Sequence, residues 1–133
     1  MATTYVLIAS NTVGSGGAAS VTFSSIPQTY TDLLVKFSGK DNSSSTGGNI
    51  IYLTFNGTGT TYTDKLLFGN GSSASSGSYA GMVGEVNTSA TTANTFSNAE
   101  IYIPNYTSSN QKSFSTDGVT ENNATLAYAT LDA

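Results

Sequence analysis

The side chains of this sequence that could carry out catalysis are four lysines and eight carboxylates. Histidine, cysteine, arginine and tryptophan are absent, while serine, threonine, asparagine and glycine make up about half of the chain. Histidine is the usual proton-transfer group near neutral pH, so the most common general base is missing. We therefore expect a protein that acts by presenting a surface for binding, and not an enzyme.

Two catalytic arrangements remain open to this composition. A serine nucleophile would need a lysine such as Lys36 or Lys65 as its base. Residues 77–81, Gly-Ser-Tyr-Ala-Gly, superficially resemble a nucleophile elbow, but the serine is the second of the five residues and the motif needs it in the middle. Two carboxylates could hydrolyse a glycosidic bond. The candidates are Asp32, Asp64, Glu85, Glu100, Asp117 and Glu121. Solvated acids at strand ends that keep the protein soluble explain these positions better.

Metal-binding motifs are incomplete in this sequence. An EF-hand loop starting at Asp41 would need glycine at position 46 and glutamate at position 52, where the chain has Thr46 and Tyr52. A calcium ion bound by Asp41, Asp117 and backbone carbonyls stays open as an alternative. We predict no cofactor.

The charge distribution narrows the possible partners. The net charge is −4, and the four lysines are scattered along the chain, so no basic patch is available for nucleic acid or for an anionic membrane. The apolar run at residues 5–9 is too short for the core of a signal peptide. We expect a soluble protein that is made in a cytoplasm without a secretion signal and needs no disulfide.

Short apolar runs separated by turn-forming clusters predict an all-β protein with eight or nine strands. Alternation with period two is clearest in residues 32–38, 51–55 and 99–103. The further predicted strands are residues 3–9, 21–24, 65–68, 79–86, 111–116 and 125–131. Two glycines, Gly81 and Gly84, predict a bulge or a close backbone approach within one of them.

The segments between these strands are predicted as loops and turns. Residues 41–48 form a polar loop, and residues 72–78 form a mobile, serine-rich and glycine-rich one. The pairs Asn56–Gly57 and Asp117–Gly118 are typical of turns.

Residues 1–133 are therefore predicted to form a single β-sandwich domain. Two antiparallel sheets packed face to face, with a jelly-roll or related Greek-key topology, would bury the alternating apolar faces. The sequence stops directly after a strand-like run, so either this strand ends the domain, or further residues or a neighbouring subunit complete the sheet. An edge with so few charges favours association, and we expect a homo-oligomer.

Tyrosine side chains are the main candidates for contacts with other proteins, because tyrosine is favoured where one end is buried and the other finds a partner. The candidate contact residues are Tyr102, Tyr106 and Tyr30. Tyr102 is expected on the face opposite Ile101 and Ile103. Ordinary half-buried strand positions are the alternative for each tyrosine.

Two blocks of the sequence resemble known proteins. Residues 18–33, Ala-Ala-Ser-Val-Thr-Phe-Ser-Ser-Ile-Pro-Gln-Thr-Tyr-Thr-Asp-Leu, follow residues 5–10, Tyr-Val-Leu-Ile-Ala-Ser, and together they resemble a recurrent opening of virion structural proteins of tailed bacteriophages. Residues 67–72, Leu-Phe-Gly-Asn-Gly-Ser, are similar to a second recurring patch. The resemblance implies a β-rich particle protein, such as a head decoration, a head fibre or a tail-associated module, and it brings no catalytic or ligand residues.

The leading hypothesis is thus an exterior capsid decoration, cement or fibre-type protein of a virion, made in the host bacterial cytoplasm. It would bind major capsid or tail subunits, as a trimer or on a symmetric lattice. The alternative is a tail-associated receptor-binding or carbohydrate-binding module, in which residues 42–48 and 69–78 contact host-surface glycans.

Overall fold

The computed structural model describes residues 5–46, 48–57, 63–121 and 128–132. Within these ranges the chain forms eight strands and no helix. The strands are β1 (Leu33–Gly39), β2 (Asn49–Tyr52), β3 (Leu66–Gly69), β4 (Ala74–Gly77), β5 (Met82–Val86), β6 (Ser97–Ile103), β7 (Ser115–Thr120) and β8 (Tyr128–Asp132). None of the described residues forms a helix long and apolar enough to cross a membrane.

The strands form two antiparallel sheets. One sheet has six strands in the order β1-β6-β7-β8-β3-β4, and the other consists of β2 and β5. The predicted all-β, two-sheet antiparallel sandwich is confirmed. The division into six and two strands does not confirm a jelly roll.

The core lies between the two sheets, where β5 covers the inner face of β6. Its centre is formed by Val83, Ile101 and Ile103. Partly buried apolar side chains pack around this centre, namely Leu33, Val35, Ile51, Leu53, Phe55, Tyr106 and Phe114. Both sheets therefore contribute to one hydrophobic cluster.

Strand β6 shows why the alternating pattern predicts its place. Ser97, Ala99, Ile101 and Ile103 are buried, while the residues between them are exposed. Strand β1 lies beside β6 with Leu33 opposite Ile103 and Gly39 opposite Ser97. On the other side, Ile101 lies opposite Thr116 of β7. A central strand with one buried face and one solvated face requires this period-two pattern.

The predicted bulge in the second sheet is confirmed. Ile51 lies opposite Gly84, whereas Tyr52 lies opposite Met82, so the register shifts by one residue on β5. Gly84 has a φ of 139°, which a residue with a Cβ atom rarely adopts. The bulge places Val83 in the core cluster.

Two predicted strands at the start of the chain are wrong in this structure. Residues 5–9 and 21–24 are not paired with any described strand, and residues 3 and 4 lie outside the described residues. Their apolar side chains are mostly exposed. The alternation is present in the sequence, but none of the described strands of the same chain pairs with these residues.

Three other predictions need correction. The predicted loop at residues 72–78 contains strand β4, which pairs with β3 as a hairpin. The predicted turn at Asp117–Gly118 lies in the middle of β7, and the predicted strand at residues 111–116 overlaps β7 only at its end. The inner face of β7 carries Thr116, Gly118 and Thr120, which lack the large apolar side chains that mark a strand. Residues 125–127 of the last predicted strand lie outside the described residues.

Candidate functional site

The candidate contact tyrosines lie near the point where the chain enters β1. Asp32 precedes β1, and its Oδ2 accepts a hydrogen bond of 2.9 Å from the hydroxyl of Tyr102. Its Oδ1 accepts a second bond of 2.8 Å from the backbone N–H of Asn105. One carboxylate therefore joins the start of β1 to the end of β6.

Tyr106 makes a second set of contacts with the same entering segment. Its backbone N–H donates to the carbonyl of Thr31 at 3.2 Å, and its hydroxyl donates to the carbonyl of Pro27. Its ring packs against the core cluster. We call Pro27, Thr31, Asp32, Tyr102, Asn105 and Tyr106 the anchor. The ring of Tyr106 thus packs against the core, while its backbone N–H and its hydroxyl hold the entering chain.

Tyr102 and Tyr30 keep part of their surface free. Each side chain is 38% exposed. The hydrogen bond to Asp32 is the main cause that raises the pKa of Tyr102, and burial and the negative charge of Asp32 act in the same direction. Tyr5 makes a smaller electrostatic contribution that also raises the pKa of Tyr102. These tyrosines lie where the N-terminal segment meets the sandwich.

The N-terminal segment itself is the most exposed apolar region of the described chain. We call residues 5–24 the arm. Its exposed large apolar side chains are Tyr5, Val6, Leu7, Ile8, Val13, Val21 and Phe23. Within the described chain its only backbone–backbone hydrogen bond joins Gly17 N–H to the Gly14 carbonyl in a turn. No charged residue occurs in the arm. An uncharged, apolar and unpaired segment is well suited to bind another protein.

The opposite end of the sandwich is built very differently. Gly39 lies opposite Ser97, and Gly69 lies opposite Ala74 and Ala129, so the loops after β1, before β6 and between β3 and β4 leave from one end. The described residues of the polar loop after β1, 42–46 and 48, and the loop of residues 70–73 therefore share that end. They leave from strands near opposite edges of the six-stranded sheet, which lie roughly 20 Å apart at the usual spacing of strands.

Asn87 organises this polar end. The residue is fully buried, its carbonyl accepts from Asp41 N–H at 2.7 Å, and its side-chain oxygen accepts from Glu121 N–H at 3.0 Å. Its amide nitrogen donates to Thr95 Oγ1 at 3.1 Å. Thr88 is also fully buried, and its hydroxyl donates to the Ser45 carbonyl. These bonds fix the backbone of the loops that surround Asn87.

The structure does not gather the candidate catalytic acids into a cleft. Asp64 is buried, and its two oxygens accept from the N–H groups of Tyr79 and Met82 at 2.6 and 2.7 Å. Glu100 forms an ion pair of 2.5 Å with Lys36 and lies opposite Asp117 on the outer face. Asp32 belongs to the anchor. Glu100 and Asp117 are therefore neighbours on the exposed outer face of the sheet, while Asp32 and Asp64 are held by backbone N–H groups elsewhere in the fold.

The carboxyl groups of Glu85 and Asp41 have shifted pKa values, in opposite directions. Burial raises the pKa of Glu85, whose Oε2 is buried and has no hydrogen-bond partner among the described residues. Hydrogen bonds from Ser43, followed by one from Asn49, lower the pKa of Asp41. Asp41 is therefore engaged within its own loop, while Asp117 lies beside Glu100 on the outer face of the sheet. Among the described residues, no group of three or more acids could hold a metal ion.

Sequence reasoning missed three functional or structural features of this arrangement. Asp64 and Asn87 resemble any other polar residue in a polar sequence, because their importance comes from backbone groups far along the chain. The arm was interpreted as two strands of the sandwich. Its lack of any charge over residues 5–31 is the signal that distinguishes it from an exposed strand, which usually carries charges.

No family model matches the chain, and no curated protein and no solved structure matches it either.

Proposed function

We propose that this chain is a structural protein of a tailed-bacteriophage virion, located on the outside of the particle as a capsid decoration, cement or fibre-type module. It acts by binding other virion proteins, either major capsid or tail subunits, and it assembles as a homo-oligomer, with a trimer as the expected form. It catalyses no reaction, and it binds neither nucleic acid nor membranes.

The single observation that carries this proposal is the arm. The sandwich carries an uncharged segment with exposed apolar side chains, and such a segment gains free energy when another protein surface covers it. The resemblance of residues 5–10 and 18–33 to virion proteins falls on this same region. On a particle lattice, many weak contacts of this kind add up to stable attachment.

The polar outer surface fits the same role. Outer-face positions of β6 and β7 carry Asn98, Glu100, Tyr102, Ser115 and Asp117, with Val119 as the one aliphatic residue among them. Interfaces between proteins that fold separately are about as polar as the rest of the surface, so such a face can be specific without a large charge.

The test is the location of the chain in purified particles. We expect the protein to remain with virions through a density gradient, and antibodies against it to label the outside of intact particles in electron microscopy. Isolated protein should also co-sediment with purified capsids that lack it. Absence of the chain from purified particles would contradict the proposal.

A carbohydrate-binding module is the second candidate, and one observation favours it. The loops of residues 42–48 and 70–73 leave the same end of the sandwich, and hydroxyl and amide groups that suit sugar recognition are abundant there. Their separation requires an extended glycan to touch both. Binding of the isolated protein on a glycan array, lost when Asn42 and Asn70 are both changed to alanine, would support this candidate; no glycan signal would remove it.

A further inference from the structure

The six-stranded sheet has two free edges of unequal quality. Among the described residues, β4 pairs only with β3, and β1 pairs only with β6. Strand β4 has four small residues, Ala-Ser-Ser-Gly, and most of them are exposed. Strand β1 has seven residues, and its apolar side chains are only half-buried. An added strand would therefore gain more backbone hydrogen bonds and cover more apolar surface at β1.

We infer that the arm of one copy of this chain adds as a β-strand to the free edge of β1 in a second copy. The inference rests on the self-association included in the proposed function, but it does not depend on the virion. It names the two surfaces that meet, residues 5–24 on one subunit and Leu33–Gly39 on the other.

The anchor explains why the arm does not fill its own edge. Residues 27–32 are bonded to Tyr102, Asn105 and Tyr106, which belong to β6 and to the turn after it. Because β6 occupies one side of β1, these bonds hold the entering chain on that side, away from the free edge. The arm of a second subunit is held by the anchor of its own sandwich, so these bonds do not keep it away from the β1 edge of the first subunit.

The chemistry of the two surfaces is complementary. The arm carries no charge, and the only charged side chain of β1, Lys36, forms an ion pair with Glu100. Burial of an unpaired charge is costly, and none would be buried when the two surfaces meet. Leu33 and Val35 already contact the core cluster, and an added strand would extend that apolar layer. With no lysine or arginine, the arm itself offers nothing to a phosphate or an anionic lipid.

The arrangement also limits the symmetry of the assembly. Each chain offers one arm and one β1 edge, so the contact is heterologous: the surface used on one subunit differs from that used on its neighbour. No arm is left uncovered when the subunits close into a ring, or when two copies exchange their arms about a two-fold axis. The expected trimer satisfies this condition.

The first experiment compares two matched substitutions in the full chain. Phe23→Asp places a charge in the arm, and Phe96→Asp places the same charge in the loop between β5 and β6; the two phenylalanines are 42% and 58% exposed. In sedimentation velocity we expect the unmodified chain and Phe96→Asp to form the same oligomer, and Phe23→Asp to be at least tenfold weaker in association. Circular dichroism checks that each variant is folded.

The outcomes separate the arm from self-association itself. If the unmodified chain is monomeric at every concentration, both self-association and the pairing of the arm with β1 are contradicted. An oligomer that survives Phe23→Asp would overturn the arm exchange while leaving self-association intact. Neither result depends on whether the chain is found in virions, so a failure of the virion assignment would be seen separately.

The second experiment tests which edge receives the arm. The natural chain has no cysteine, so single Ser→Cys variants react with a short bis-maleimide only at the chosen site. An arm variant, Ser20→Cys, is mixed with either Ser38→Cys on β1 or Ser75→Cys on β4, all three of which are exposed serines. We expect a cross-linked pair of chains with Ser38→Cys and little with Ser75→Cys. The reverse pattern would overturn the choice of β1.

Discussion

The arm and strand β6 are both rich in apolar residues, yet they have opposite structural environments. In β6, alternate side chains are buried, and β1 and β7 pair with its two edges. In the arm, Leu7 is 81% exposed, and no described strand pairs with it. Alternation of apolar residues therefore shows which segments need a partner strand, while the partner itself is set by the rest of the chain or by another chain.

The same contrast separates the polar groups of the two regions. In the sandwich, Asn87 and Asp64 are buried, and each binds several backbone N–H groups or side chains. In the arm, backbone groups face solvent apart from one turn. We expect the sandwich to be the stable unit of the isolated chain, with the arm contributing to stability only when it is covered.

Substitutions of large apolar residues should give the largest difference between the two regions. In a Phe23→Asp background, which keeps the chain monomeric, Ile101→Ala should lower the free energy of unfolding by about 2–5 kcal/mol, because it leaves a cavity in the core. Leu7→Ala should change it by less than about 0.5 kcal/mol, as is usual for exposed sites. Urea denaturation followed by circular dichroism measures both. Equal losses would show that the arm packs on its own sandwich.

Removal of the Asp64 carboxylate should have the next largest effect. Asp64→Ala leaves the N–H groups of Tyr79 and Met82 without their acceptor, and we expect a loss of about 2–4 kcal/mol. Asp64→Asn keeps one acceptor oxygen and should lose roughly half as much. Thermal unfolding measures the two variants. If Asp64→Ala is as stable as the unmodified chain, the loop before β5 is held by other contacts.

The hydrogen bonds of Asp32 in the anchor should contribute less to the free energy of unfolding, because the groups that form them are exposed. Asp32→Ala removes the acceptor for Tyr102 and Asn105, and we expect a loss of about 1 kcal/mol, together with faster amide exchange at Asn105. Asp117→Ala is the matched control, since that exposed acid lies opposite Glu100 and has a like charge as its neighbour. It should be neutral or slightly stabilising. Unchanged exchange at Asn105 would remove Asp32 from the anchor.

The smallest effect is expected from pH, and it acts on the sandwich alone. Burial raises the pKa of Glu85, so the folded chain binds this proton more tightly than the unfolded chain, and stability should rise as the pH falls from 7 towards the ordinary value near 4.5. Hydrogen bonds from Ser43 lower the pKa of Asp41, so its contribution is present above its ordinary value of 3.8 and is lost as the pH falls through the lower folded pKa.

Two variants check these signs in thermal unfolding measured across the pH range. Glu85→Gln should flatten the change between neutral and mildly acidic pH, and Asp41→Asn should flatten the decline in stronger acid. An unmodified chain whose stability falls steadily from pH 7 to pH 5 would contradict the assignment to Glu85.

The sequence predicts the strands whose core residues are large and apolar. Strands β1 and β6 carry Val35, Ile101 and Ile103 at alternate positions, and their predicted places are confirmed. Strands β4 and β7 could not be placed correctly, because β4 has no large apolar residue and the buried residues of β7 are Thr116, Gly118 and Thr120. Their positions depend on pairing with neighbouring strands that are distant in sequence.

The candidate site could be predicted only in part. Tyr102 was expected on the outer face of its strand, and it lies there; its bond to Asp32 joins residues 70 positions apart and leaves no local pattern. The role of Tyr106 in holding Pro27 has the same origin. The alternation of apolar residues in the arm predicts a segment that needs a partner strand, but this alternation does not say whether that partner belongs to the same chain.

Hydrogen–deuterium exchange of the arm in the unmodified full chain tests the central claim most directly. If residues 5–24 pair with a second subunit, their amides should exchange slowly at high protein concentration and become fast on dilution or in Phe23→Asp, while β6 stays protected throughout. Arm amides that exchange as fast as in an unfolded peptide while the chain is oligomeric would contradict the account.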